Sequence, residues 1–177
     1  MINDLNFLHF LTTSCIIEVF ILILFKFTKQ TSPAIINWYG NLGWTAIILD
    51  ILSLMIGFYL SKFIYQFLIK NNYLTKKNEF IKFLAIVLFV QIVHDFLFYF
   101  FVINPSPKNM NRVIDEFKEY AKHYGTKAVK ADSLMYIAST PILYYIIKEQ
   151  KTSTNTFISI VSFYVLGYLL HQKPRFN

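Results

Sequence analysis

Five runs of apolar residues alternate with polar segments along the chain. A helix needs about 20 residues, at a rise of about 1.5 Å each, to cross the roughly 30 Å hydrocarbon layer of a membrane. The runs meet or approach this length, so the pattern predicts membrane-spanning helices and no sheet. The five predicted spans are residues 8–27, 44–69, 80–103, 131–147 and 156–170.

A sixth periodic segment, residues 110–124, has a different pattern. Apolar residues recur in it at spacings of three and four, while charged residues occupy the other positions, which predicts an amphipathic helix. A helix of this kind, tied at both ends to spans, lies along the membrane surface or packs on the mouth of the bundle. The predicted fold class is therefore all-α: a polytopic membrane helical bundle, a single domain over residues 1–177, with about five transmembrane helices plus one amphipathic surface helix.

Proline and glycine interrupt the pattern between the first two spans, at Pro33 and Gly40. Trp38, Tyr39 and Trp44 surround this break. Tryptophan and tyrosine are enriched at the boundary between membrane and water, so we expect an interfacial turn with aromatic anchors.

Composition agrees with a membrane location, because 55% of the residues are hydrophobic and only 15% are charged. The first run lacks the basic leader and cleavage pattern of a secretory signal, so we interpret it as a retained span. The single cysteine, Cys15, lies inside that run and excludes an intramolecular disulfide. The net charge of +7 is assigned to lysines that flank the spans and reach anionic lipid headgroups. The predicted partners are the lipid bilayer, anionic headgroups and a second copy or another membrane protein, with no nucleic acid.

Lysine and arginine residues are distributed unevenly about the predicted spans. Ten of the 17 flank one side of the membrane and seven the other. Positive residues concentrate on the cytoplasmic side of membrane proteins. The distribution therefore predicts an outside N-terminus and a cytoplasmic C-terminus.

Four acidic residues lie within the predicted spans. Glu18 falls near the centre of the first span, and Asp50 about 9 Å from the centre of the second. Asp95 and Asp132 lie about 5 and 10 Å from the centres of the third and fourth. Because successive spans run in opposite directions, the displacements of Asp50, Asp95 and Asp132 point to the same side. Ionisable residues at such depth are costly and face the bundle interior or water.

Gln91 shares a helix face with His94 and Asp95, which follow it at spacings of three and four. We therefore predict a polar cluster in one leaflet, walled by the second, third and fourth spans, with one acid deeper. Its residues, which would also form a proton or ion pathway, are Glu18, Asp50, Gln91, His94, Asp95 and Asp132.

Three functions remain open for this cluster. The first, which we favour, is a non-enzymatic structural or scaffolding protein, because intramembrane hydrogen bonds commonly fix helix packing. The second is a proton- or cation-conducting protein lined by the acids. The third is an intramembrane enzyme in which His94 and Asp95 act as general base and orienting group. Metal-ligand spacings and nucleotide or nucleophile motifs are absent from the sequence, so we assign no metal, cofactor or catalytic residue.

One stretch of the chain carries a family resemblance. His94 and Asp95 in a span are followed by N-P-x-P at 104–107, N-x-x-I-D-E-F-K-x-Y at 111–120 and A-D-S-L-M at 131–135. This order resembles a family of multi-span membrane proteins of large nucleocytoplasmic DNA viruses. The resemblance implies residence in a host membrane or in the membrane inside the virion, and it implies no activity.

Overall fold

The computed structural model describes residues 2–28 and 33–173, and all regular secondary structure in these ranges is helical. The predicted all-α fold class is confirmed. The seven α-helices are α1 (Phe7–Phe27), α2 (Pro33–Leu42), α3 (Trp44–Lys70), α4 (Glu79–Phe98), α5 (Arg112–Tyr124), α6 (Thr126–Pro141) and α7 (Thr152–His171). A 3₁₀ turn, Ile2–Asp4, precedes α1. A π-helical turn, Tyr99–Ile103, continues α4, and a second, Ile142–Ile146, continues α6 into a 3₁₀ turn, Ile147–Glu149.

Four of the described helices are long and apolar enough to cross a membrane: α1, α3, α4 with its π-helical turn, and α7. This is compatible with a membrane protein in contact with a lipid bilayer. The fifth predicted span, residues 131–147, lies on α6 and its π-helical continuation. Because α6 itself has only 16 residues, too few for about 30 Å of hydrocarbon, that span stays a prediction.

The long helices pack around α1. It lies against α7 on one side and α3 on another, while α4 joins α3 to α6. Phe10 and Leu22 of α1 are completely buried, as are Ile47 of α3 and Leu166 of α7. Cys15 is buried in the same core. The short helix α2 packs against α3 and α5, so α2 and α5 lie together at one end of the bundle.

Helix α5 corresponds to the amphipathic helix predicted at residues 110–124, and local contacts determine where it begins and ends. The side chain of Asn111 accepts hydrogen bonds from the backbone N–H groups of Val113 (2.9 Å) and Ile114 (3.2 Å). At the other end Gly125 has a φ of +50°, a left-handed conformation that favours glycine. Val113 and Phe117 pack against the core, so α5 docks on the bundle through these side chains.

At the opposite end of the bundle, Glu79 joins three elements. Its carboxylate accepts hydrogen bonds from the Ile2 backbone N–H (3.2 Å), the Tyr65 hydroxyl (3.4 Å) and the Tyr144 hydroxyl (3.2 Å). The first 3₁₀ turn, α3 and the continuation of α6 therefore meet at the start of α4.

Between the two ends, three aromatic rings cross the bundle from α1 through α3 to α6. The Phe10 and Phe58 ring centroids are 5.8 Å apart, and those of Phe58 and Tyr136 are 5.3 Å apart. The Tyr136 hydroxyl donates to the Ser53 carbonyl at 3.1 Å. Its oxygen would lie 1.9 Å from a Cβ atom placed on Gly57, so only glycine leaves room for the ring. We call Phe10, Phe58 and Tyr136 the aromatic layer.

Candidate functional site

The short helix α2 inserts two aromatic side chains beside the acids of α1 and α3. The Tyr39 hydroxyl lies 2.9 Å from Glu18 Oε1 and 3.1 Å from Asp50 Oδ2. The Trp38 indole N–H donates to the same Asp50 oxygen at 3.0 Å. A hydroxyl has a single hydrogen to donate. Both tyrosine contacts are therefore hydrogen bonds only when one of the two carboxyl groups carries a proton and donates in turn.

The Tyr39 hydroxyl remains a hydrogen-bond donor across the physiological pH range. It is buried, and burial together with the nearby carboxyl groups of Asp50 and Glu18 raises its pKa well above the ordinary value. The phenol therefore keeps its proton, and changes of protonation in this part of the site fall on the two acids.

Glu18 is completely buried, and only one of its two carboxyl oxygens, Oε1, has a hydrogen-bond partner among the described residues. Its Oε2 atom has no hydrogen-bond partner within the described residues, and the same holds for Ser14 Oγ, one helical turn earlier on α1. Buried polar atoms are nearly always paired, and each unpaired one costs about 1–3 kcal/mol. A carboxyl proton on Glu18 would lower this cost, because a neutral carboxyl group is cheaper to bury than a carboxylate.

A second set of polar contacts joins α4 to α6. Gln91 donates from Nε2 to Asp95 Oδ2, and its Oε1 accepts from the Ser133 hydroxyl at 2.7 Å. The carboxyl groups of Asp95 and Asp132 interact electrostatically. His94 Nδ1 lies 3.4 Å from the other oxygen of Asp95.

Asp132 joins the two sets, because it interacts electrostatically with Asp50 as well as with Asp95. Glu18 and Asp50 interact in the same way. We call Glu18, Asp50, Asp95 and Asp132 the carboxyl cluster. Within residues 2–28 and 33–173, its single ion-pair contact is the one between His94 and Asp95. Clusters of three or more residues suited to a metal ion are absent from the same ranges.

His94 occupies the edge of the site. Its side chain is 40% exposed, whereas Gln91, one turn earlier on the same helix, is 2% exposed. The histidine ring stacks on Phe98 and lines a groove of about 430 Å³ between α3 and α4, with Leu60 and Ile64 on the facing wall. Of the six residues predicted from the sequence, the structure brings Gln91 and the four acids into one connected set and leaves His94 at its margin.

Helices α2 and α5 cover the carboxyl cluster. The ring centroids of Trp38 and Phe117 are 4.7 Å apart, and Asn41 donates from its side chain to Glu116 at 2.6 Å. Tyr120 of α5 faces the acids: burial, followed by the charges of Asp132 and its neighbours, raises its pKa above the ordinary value. We call α2 and α5 together the cover.

Helix α2 contributes two side chains to the site that the sequence pattern did not predict. The expected interfacial turn with aromatic anchors is wrong for Trp38 and Tyr39, because Pro33–Leu42 is a helix that buries both side chains. Ala34 is buried as well, and its spacing of four from Trp38 is the signal that was available. Tyr120 was also missed, since a tyrosine does not stand out on an amphipathic helix.

No protein-family model, curated protein or solved structure matches the chain.

Proposed function

We propose that the chain is a multi-pass membrane protein whose carboxyl cluster binds and releases protons from one side of the membrane. One observation carries the proposal: a single hydroxyl, that of Tyr39, lies within hydrogen-bonding distance of both Glu18 and Asp50. Acceptors outnumber donors there, and Glu18 Oε2 has no partner among the described residues. A proton on one of the carboxyl groups would supply the missing hydrogen-bond donor.

Proton binding is coupled to the cover in this proposal. Two unit charges 4 Å apart interact by about 4 kcal/mol at an effective dielectric constant of 20, so the loss of protons from neighbouring acids would be strongly repulsive. Trp38 and Tyr39 attach α2 to the acids by hydrogen bonds. When both acids are deprotonated, Tyr39 can donate to only one of the two carboxylates, and the repulsion between Glu18 and Asp50 acts at the side chain that attaches α2.

Access to the cluster is from the side of the cover. The opposite side is closed by the aromatic layer, in which Phe10 and Phe58 are completely buried. Phe10 and Phe58 have no group that exchanges protons, and the one hydroxyl of the layer, that of Tyr136, donates to the Ser53 carbonyl. The three side chains therefore do not continue a hydrogen-bonded path from the acids. We therefore propose reversible proton binding in preference to conduction across the membrane.

A structural role is the second candidate, and a separate observation favours it. Gln91 bonds at once to Asp95 and Ser133, which fixes the register between α4 and α6 without any need for proton exchange. If the cluster binds protons reversibly, the acids change protonation with pH. If its role is structural, they do not.

We propose a viral setting on the resemblance of residues 94–135 alone. In that setting the protein lies in a host membrane or in the membrane inside the virion. The excess of basic residues on the side of the cover supports placing that side in the cytoplasm.

Infrared spectroscopy of the protein in lipid, from about pH 4 to about pH 9, tests the proposed function directly. We expect a carbonyl band of buried protonated carboxyl groups whose intensity falls as the pH rises. Glu18→Gln and Asp50→Asn should each remove part of this band, because an amide cannot take up the proton.

Glu149→Gln is the matched control, since the Glu149 side chain is 66% exposed and lies at the far end of the bundle. It should leave the buried band unchanged. A band that is absent, or that keeps its full intensity in both cluster variants, would leave the structural role as the better account.

A further inference from the structure

Glu18 and Asp50 have different surroundings, although the Tyr39 hydroxyl contacts both. Asp50 Oδ2 lies within hydrogen-bonding distance of two donors, the Trp38 indole N–H at 3.0 Å and the Tyr39 hydroxyl at 3.1 Å. Glu18 Oε1 has only the Tyr39 hydroxyl, at 2.9 Å, and Glu18 Oε2 has no partner among the described residues. Hydrogen bonds donated to a carboxyl group favour its charged form. The contacts therefore favour a charged Asp50 and a protonated Glu18.

The exposure of the two acids gives the same order. Glu18 is completely buried, whereas Asp50 is half-buried, so an uncompensated charge costs more on Glu18. The part of the chain that the structure describes gives neither acid an ion pair with a lysine, arginine or histidine. The other titratable groups that interact with the two acids are also uncharged or acidic: Cys15 of α1, Tyr120 of α5 and Asp132 of α6.

A proton on Glu18 gives the hydrogen bonds of this site one direction. Glu18 Oε1 then donates to the phenol oxygen of Tyr39, and the phenol O–H donates to Asp50 Oδ2. A hydroxyl oxygen can accept one hydrogen bond while its own hydrogen is donated in another. The three side chains therefore form one chain of hydrogen bonds that runs from the buried acid to the half-buried acid.

We propose that Tyr39 is a proton relay between Glu18 and Asp50. In transfer toward the cover, the O–H bond of Glu18 breaks and its proton joins the phenol oxygen, while the phenol proton passes to Asp50 Oδ2. Each broken O–H bond leaves its electron pair on the donor oxygen, so the negative charge moves from Asp50 to Glu18 and the phenol stays neutral. The proton leaves Asp50 on the side of the cover, and uptake follows the reverse order. This relay rests on the proposed proton binding and gives the buried acid its route.

Hydrogen–deuterium exchange of the buried carboxyl band, followed by infrared spectroscopy in lipid at about pH 7, tests the relay. The band shifts when the protein is moved from H₂O to D₂O, and the component that is lost in Glu18→Gln marks the Glu18 proton. We expect this component to exchange in the wild type without opening of the bundle. Tyr39→Phe should slow its exchange about a hundredfold, the lower end of what a positioned proton-transfer group contributes.

Asp50→Asn tests the other end of the relay. Its amide oxygen can still accept from the Tyr39 hydroxyl, but the amide cannot take up the proton, so the exchange of Glu18 should slow in this variant as well. Tyr120→Phe is the matched control in the other helix of the cover. Among the described contacts the Tyr120 hydroxyl bonds to neither Glu18 nor Asp50, so this variant should exchange at the wild-type rate.

A purely structural role for Tyr39 predicts an effect of the opposite sign. Loss of the hydroxyl would then loosen the site and speed the exchange of Glu18, in step with the amide exchange of α2, which reports local opening. Exchange of Glu18 that is as fast as in the wild type, or faster, in Tyr39→Phe or Asp50→Asn would overturn the relay and leave the proton binding intact. A wild-type protein without the carboxyl band would instead refute the proton binding itself.

Discussion

Replacement of Gly57 by alanine is expected to destabilise the folded bundle by about 3 kcal/mol. The added Cβ atom would lie 1.9 Å from the Tyr136 hydroxyl oxygen and 2.7 Å from the ring carbon that carries it. The ring cannot move aside freely, because it packs edge-on against Phe58 and its hydroxyl donates to the Ser53 carbonyl. The free energy of unfolding in mixed micelles is the measurement.

Gly40→Ala provides the control for this experiment. Gly40 also lies in a helix, but a Cβ atom there meets no other atom within 4 Å. Alanine is the better helix former, so this variant should be as stable as the wild type or slightly more stable. If the two alanine variants proved equally stable, the packing of Tyr136 over Gly57 would be wrong, and with it the aromatic layer.

Tyr39→Phe is the second substitution with a large expected effect. Among the residues that the structure describes, it removes the one hydroxyl that contacts both Glu18 and Asp50, and it leaves two adjacent carboxyl groups short of a donor. We expect a loss of about 2–4 kcal/mol in the free energy of unfolding, since each unsatisfied buried polar group costs about 1–3 kcal/mol. The ring itself, which packs on Phe25, is retained, so lost packing does not contribute.

Tyr73→Phe is the matched change at an exposed position and should cost little, because the Tyr73 ring is 71% exposed. Tyr39→Phe combined with Glu18→Gln should recover part of the loss, since it removes one of the two carboxyl groups that competed for the hydroxyl. Stability close to wild type in Tyr39→Phe would show that this hydroxyl does not hold the acids together.

The helical fold could be predicted because each long apolar run fixes its own structure. In lipid the backbone must satisfy its hydrogen bonds within one segment, so about 20 apolar residues leave a helix as the local solution. The position of α5 was also predictable, since Asn111 and Gly125 specify its ends through local contacts. Helix α2 was not, because ten residues carry little periodic signal and its burial depends on α3 and α5.

The sequence predicts how far along its helix each residue of the site lies, but not which neighbour the helix turns that residue toward. Helix rise sets how far along a span each acid lies, so counting residues is sufficient for Asp50 and Asp95. Rotation about the axis depends on neighbouring helices, which explains why Gln91 is buried while His94, on the same predicted face, lines an outer groove. The partners that complete the site, Tyr39 above all, come from a segment with no ionisable acid to mark it.

The fluorescence of Trp38 as a function of pH tests proton binding by the carboxyl cluster most directly. The chain has two tryptophans, so Trp44→Phe leaves Trp38 as the single reporter, with its indole N–H bonded to Asp50. If the cluster binds protons, Trp38 emission should change sigmoidally with pH, and Asp50→Asn should abolish this change. Glu116→Gln, which alters another carboxyl group that contacts α2, should keep the change. Emission that is independent of pH, or a transition that survives in Asp50→Asn, would contradict the account.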